Sequence, residues 1–312
     1  MRTLFFGSRA LVAGCCLAAA STPGNAAEYG FSTYGLGGSA FGAGVTPPAG
    51  TYVTNLYAYY QGDIESTISF GGVTINAGAE AKGFSTGVNI LYVPERKVLG
   101  GNLGLGVTIP VGHVDIEANV TIGPLTAAAS TEGWGLGDIV PRAQLGWQNG
   151  ELAHTVYIQA VTPTGFWEPG FEPIIGFHRP GIDIGWAFTW EHKPSKVQLN
   201  GTAGFTFNFE NTETDYKSGN EFHWEWAIGR EVAQGLVIGV VGYDYRQLEH
   251  DSGPTAFSRT VKGRVDAIGA GLSYTTLIDN RPLIFNLRHY QEFNAKDRWE
   301  GNSTLATGTV RF

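Results

Sequence analysis

The stretch richest in reactive groups is Glu221-Phe-His-Trp-Glu225, a carboxylate, an imidazole and a carboxylate at alternate positions. On a β-strand these three share one face and span about 13 Å at about 3.3 Å per residue. That arrangement could hold a cation or shuttle a proton. Tetrahedral metal sites need a fourth ligand, and the sequence offers none beside this trio, so a structural role is the expectation. His113-Val-Asp-Ile-Glu117 repeats the alternation in a less ordered context and is a weaker metal candidate. The zinc-protease pair His-Glu-x-x-His is absent, and no phosphate-binding loop is present. The expectation is a non-enzymatic protein without cofactor or metal.

Other polar residues recur along the strand-like runs: Asn89, Arg142, Gln144, Gln159, Asp183, Asn200, Asn208, Arg246, Arg264, Asp266, Arg288 and Glu292. Placed on one face of successive strands, they would join Glu221, His223 and Glu225 as a polar lumen wall. Such a wall either pairs its charges across the lumen or sets the selectivity of a path. Phe166, Trp167, Phe171 and Phe177 crowd one connection. They would anchor at a membrane interface or form an apolar patch that captures hydrophobic solutes.

The elements that must carry these residues are strands. Val197–Phe209 alternates Val, Leu, Gly, Ala, Phe, Phe and Phe against Gln, Asn, Thr, Gly, Thr and Asn. Phe222, Trp224, Trp226 and Ile228 oppose the Glu221 series, and Ile182–Trp190 repeats the pattern. Alternation with period two gives a ribbon with one apolar and one polar side. Continued along the chain, the pattern predicts about twelve strands. Short connections (94–99, 148–151, 192–196, 232–235, 276–282) alternate with mostly longer ones (61–83, 111–133, 163–179, 210–220, 249–259, 294–299), the first with room for a hairpin of its own at Ile64–Ile75. Transmembrane β-barrels sort their loops in this way, with short periplasmic turns and longer outer loops. The fold expected is all-β, an antiparallel transmembrane barrel over residues 51–312. In Leu236–Leu248, Val241, Tyr243 and Tyr245 are expected to face lipid, with Asp244 and Arg246 inward. A phase change in Thr260–Thr275 suggests a bulge near Gly269–Gly271.

Export precedes insertion. Residues 1–27 carry Arg2 and Arg9, then an uncharged run and a small-residue exit, the pattern of a cleaved signal peptide. Cleavage after Ala26 or Ala27 fits. Both cysteines, Cys15 and Cys16, lie in this leader, and its loss takes the formal charge from −8 to −10. An acidic exported chain is a poor nucleic-acid binder; outer-membrane lipid and small hydrophobic or aromatic solutes are the partners expected. Residues 28–50 show no period and read as a periplasmic arm or a plug in the barrel mouth.

Several segments resemble the outer-membrane family of the meta-pathway of phenol degradation. They include Pro48-Ala-Gly-Thr-Tyr52 with Tyr59-Tyr60, Leu99-Gly-Gly101, Gly135-Leu-Gly-Asp138 and Thr162-Pro-Thr-Gly165. The strongest is Phe207-Asn-Phe-Glu-Asn211, continuing through Thr214–Phe222; Gly242–Gln247 and Gln291–Asn294 add to it. The resemblance implies a passive barrel for uptake of small, often aromatic compounds, and brings no catalytic residues. A barrel with a blocked lumen and a structural or adhesive role is the alternative; a barrel enzyme ranks below it.

Overall fold

Alternation with period two propagates here into one antiparallel sheet that closes on itself. The computed structural model describes residues 27–70, 73–122, 124–167, 176–254 and 262–312. Its strands are β1 (Gly50–Phe70), β2 (Val73–Val93), β3 (Asn102–Ile122), β4 (Leu125–Leu136), β5 (Val140–Asn149), β6 (Leu152–Val161) and β7 (Gly181–His192). The series continues with β8 (Val197–Asn208), β9 (Glu221–Ala233), β10 (Leu236–Gln247), β11 (Arg264–Ile278), β12 (Arg281–Lys296) and β13 (Glu300–Arg311). Chain neighbours pair, and β1 meets β13 from Tyr52↔Arg311 to Asp63↔Glu300. That last pairing closes the wall, so its strands have no free edge at bilayer depth, as a bilayer interior demands; the extensions past the rim, β4 and the outer part of β1, pair on one side.

β4 and β5 occupy a single position in the wall. β3 pairs with β5 over Asn102–Thr108 and with β4 over Val111–Ile122. The described strands therefore make a barrel with twelve wall positions, one of them broken at residues 137–139. A strand of the length of Gly181–His192 is about 40 Å long. Tilted by about 40°, it gives a wall about 30 Å high, which matches a bilayer core.

The outward face is apolar: Ile109, Val156, Ile158, Ile184, Trp186, Phe205, Phe207, Ile228, Ile268 and Leu287 are all exposed. Two expected connections prove to be strand. Residues 61–83 and 111–133 lie largely in hairpins that continue past the rim, β1 with β2 to Phe70↔Val73 and β3 with β4 to Ile122↔Leu125. Period two is present there as well: Val114, Ile116, Ala118, Val120 and Ile122 alternate with polar residues on β3, and Ile64, Ile68, Phe70, Val73 and Ile75 carry it through the β1–β2 hairpin. The expected bulge is also displaced. The register shifts at Arg264/Asp266 and at Leu236/Val237, while Gly269–Gly271 pairs regularly.

Candidate functional site

Inside this wall runs the arm. Its first described residue sits among the long loops, where the Ala27 amide donates to Asp251 Oδ2 (2.8 Å) and the Glu28 amide to Ser218 Oγ (3.0 Å). Its last enters β1 at the short-turn end. Between them the arm descends the lumen with a wall partner at nearly every step.

The Glu221–His223–Glu225 face is the arm's main dock. The Ser32 hydroxyl bonds Glu221 Oε2. The Tyr34 ring stacks on His223 at 3.5 Å between centroids. The amides of Gly37 and Ser39 donate to the two oxygens of Glu225 at 2.9 and 2.5 Å. One strand face thus reads the arm in order, because side chains two residues apart on β9 advance along it about as fast as the extended chain beside it. Lower down, Gly42 N donates to Asn200 and Gly44 N to Thr189, and Thr46 shares a hydrogen bond with Thr155. A Cβ on Gly44 would lie 2.4–2.5 Å from the backbone of Phe188 and Thr189, so only glycine lets the arm touch β7 there.

Two arginines take the arm's carbonyls. Arg288 Nη1 donates to the carbonyls of Gly37 (3.0 Å) and Gly38 (2.7 Å). Arg179, fully buried, donates to Phe31 O, Glu28 O and Ser218 Oγ. Phe31 itself stacks on Trp299 at 5.4 Å and meets Tyr60 edge-on. Glu28, at the rim beyond the spanning strands, accepts from Asn211 and Thr214. Burial raises its carboxyl above the ordinary range, with Arg179 opposing that shift. The loop 210–220, the most recognisable stretch of the sequence, is the clasp on the arm's first residues.

Most of the expected lumen set faces inward. Asp183 bonds His223 Nε2 at 2.9 Å and accepts from Thr206. Asn208 donates to Glu221. Asn89 donates to Thr108. Arg142 lies 3.9 Å over the Tyr157 ring and donates to Gln144 and Gln159. Gln144 also reaches Thr46. Glu292 accepts from the Tyr60 and Tyr243 hydroxyls.

Arg246, Arg264 and Asp266 do not belong to the lumen. β10 turns Val241, Tyr243 and Tyr245 inward, all buried, and leaves Asp244 and Arg246 on the outer wall, with Arg246 paired to Asp244 and to Asp266 at 2.8 Å. Arg264 is exposed on the outside of β11. The reversal has a physical cause. The arm packs against this part of the wall, so the lumen there is dry and takes tyrosines that bury a ring and bond a carboxylate. Val241, Tyr243, Tyr245, Val265 and Tyr290 form a buried cluster with Ala40 of the arm.

The aromatic connection is divided. Phe166 is exposed, Trp167 stacks on His178, and Phe177 turns inward toward Phe31; Phe171 lies outside the described residues. Asp138, at the break in the wall, accepts from the amides of Gly165 and Phe177 and so ties this loop down. Arg179, Ser218, Asp251, Thr189, Tyr290 and Trp299 escaped sequence reasoning because their partners are remote in sequence.

Beside the arm, on the β1–β6 and β12–β13 side, a cavity of about 680 Å³ remains. Thr54, Leu56, Ser85, Thr108, Arg142 and Val161 line it together with Tyr34 and Phe41 of the arm. Two hydrolase-like spacings occur in the chain. Gly83-Phe-Ser-Thr-Gly87 runs straight through β2 and makes no strand-to-helix elbow. In His250-Asp-Ser252, the Asp251 carboxylate is taken up by the arm and by neighbouring loop donors.

Among known families, the one described as "Putative MetA-pathway of phenol degradation" matches residues 65–307. The chain belongs to this family. No curated protein matches it. Among solved structures, this family member resembles the COG4313 outer membrane channel from Pseudomonas putida F1 at 12% identity and a TM-score of 0.63, over 86% of this chain and 97% of that one. A Pseudomonas aeruginosa FadL homologue gives 11% identity and a TM-score of 0.46, over 93% and 97% of the two chains. The CymD monoaromatic hydrocarbon channel gives 6% and 0.45, over 85% and 89%. At such identities the likeness to the first speaks for the fold.

Proposed function

We propose that this barrel sits in the outer membrane of a Gram-negative cell and lets small hydrophobic or aromatic molecules cross passively, along the cavity beside the arm. The observation that carries the reading is that cavity. At about 680 Å³ it exceeds several-fold the roughly 150 Å³ that holds a benzene, and apolar residues such as Phe41, Leu56, Val161 and Phe177 share its lining about equally with polar ones. The family description names phenol degradation, and the structure with the higher TM-score is described as an outer membrane channel. In this reading residues 1–27 hold the export leader, the long loops face outward, and residues 28–50 act as a plug. Phe166 and Trp167 present solutes at the outer rim, and Arg142 and Gln159 line the residual path.

Flux of phenols and monoaromatic acids into liposomes holding the purified protein tests it. Uptake above protein-free vesicles is expected, and no flux for any of them would refute the proposal. The docked arm and the internally paired charges favour a second reading, a structural barrel with a sealed lumen. Deleting residues 29–44 separates the two: a leak opened only by the deletion, with no flux through the intact protein, supports the sealed barrel.

A further inference from the structure

The outer end of the arm ends on a carboxylate. Asp251 is buried, and four neutral donors converge on it: Gln247 Nε2 at 2.6 Å and Gly219 N at 2.8 Å on Oδ1, Tyr216 OH at 2.5 Å and Ala27 N at 2.8 Å on Oδ2. Among the described residues this buried charge is served only by neutral donors, a costly arrangement eased most by a cation. Ala27 is itself buried and has φ +60° with ψ 146°. That backbone conformation is strained for a residue with a Cβ, and the strain comes from the peptide carbonyl that precedes it. A residue with a free amine has no such carbonyl.

We propose that the peptidase removing the export leader cuts between Ala26 and Ala27, and that the α-ammonium it releases is the cation that the Asp251 pocket is built to hold. Water hydrolyses the Ala26–Ala27 amide, the carboxylate leaves with the leader, and the new amine takes a proton from solvent to become an ammonium at neutral pH. The inference rests on reading the first residues as a leader, and it fixes the boundary one residue earlier than residue 27. The cut places Gly24 and Ala26 at the two positions where small residues are needed. A cut after Ala27 would put bulkier Asn25 there. It would also set the ammonium of Glu28 on Ser218 Oγ, which already receives Arg179 Nη1 at 2.7 Å. Two cations would then share one hydroxyl, and Asp251 would lose its arm donor. The docked arm is therefore the processed arm: cleavage comes first and supplies the cation that later docking pairs with Asp251.

Mass spectrometry of the protein taken from outer membranes reads the first residue. Ala27 is expected; Glu28 would overturn the proposal, and an unprocessed chain would overturn the leader reading with it. The folded protein is then treated with an amine-reactive ester at neutral pH and the N-terminal peptide quantified. Its labelling should be at least about tenfold slower in the native protein than in Asp251→Asn. Equal labelling of the two, both folded by heat-modifiable gel migration, would overturn it. If Asp251→Asn does not fold, a glycine inserted between Ala26 and Ala27 carries the test. It moves the amine off an intact Asp251 and should label at the fast rate; protection equal to native refutes the ion pair. No readout here involves solute flux, so this proposal and the uptake reading fail separately.

Discussion

Glu225→Ala should loosen the arm at mid-lumen. The carboxylate is buried and accepts the amides of Gly37 and Ser39. Alanine offers no acceptor beside the Tyr290 ring, which packs against Gly37. A buried amide left without a partner costs about 1–3 kcal/mol; the Gly37 amide is buried and that of Ser39 only half-buried, so the docked arm loses about 2 kcal/mol while a released arm, hydrated, loses nothing. That loss moves the docked–released equilibrium by about 30-fold. A cysteine placed at Ala40 in the processed protein, which has no other thiol, reports release through its rate of maleimide modification, and bilayer conductance reports it independently. Both should rise by at least about tenfold in time-averaged terms. A folded variant in which both stay at the parent value would show that Glu225 does not hold the arm.

Gly44→Val should lift the lower arm from β7, because its Cβ would fall within 2.5 Å of Phe188 and Thr189 backbone; conductance should rise while heat-modifiable migration shows an intact barrel. Arg142→Ala should shift ion selectivity toward cations, whereas Arg246→Ala, on the outer wall with Asp244 and Asp266, should leave it unchanged. A selectivity change in the second would return Arg246 to the lumen. Glu28 supplies a pH dependence. Burial raises its carboxyl when the arm is docked, so its contribution to docking is full in acid, below the ordinary carboxyl range, and declines as pH rises through the raised value. Release measured by modification of the Ala40 cysteine should therefore increase from pH 4 toward neutrality, and Glu28→Gln should remove that part of the slope.

The hairpin β8–β9 and strand β7 were legible from sequence because aromatic and aliphatic residues alternate there with polar ones, and lipid and arm impose opposite demands on the two faces. β10 was not. Val241, Tyr243 and Tyr245 read as a membrane face, yet the lumen beside them is filled by protein and wants rings that end in hydroxyls. The arm shows the same limit from the other side. Its Gly, Ala and Ser residues carry no period, since a chain docked by its own backbone amides needs small side chains rather than a pattern. Its sites are written in the wall, at Glu221, Glu225, Asn200, Thr189 and Arg288, and those residues alone do not say what they bind. The extension of β1 and β2 was legible as a hairpin at Ile64–Ile75, whereas that of β3 and β4 reads as a connection only if the alternation of Val114, Ile116, Ala118, Val120 and Ile122 with polar residues is passed over.

Closure of the wall by β1 on β13 joins segments some 250 residues apart, from Tyr52↔Arg311 onward, so it comes late in folding. The arm leaves β1 directly, and its partners lie on β6, β7, β8, β9 and β12. None of these surrounds it until the ring is complete. Seating the arm thus reports that assembly has finished: an unfinished barrel, with its lumen gaping, keeps its tail free and exposed to the proteases that clear stalled intermediates, and a finished one withdraws it.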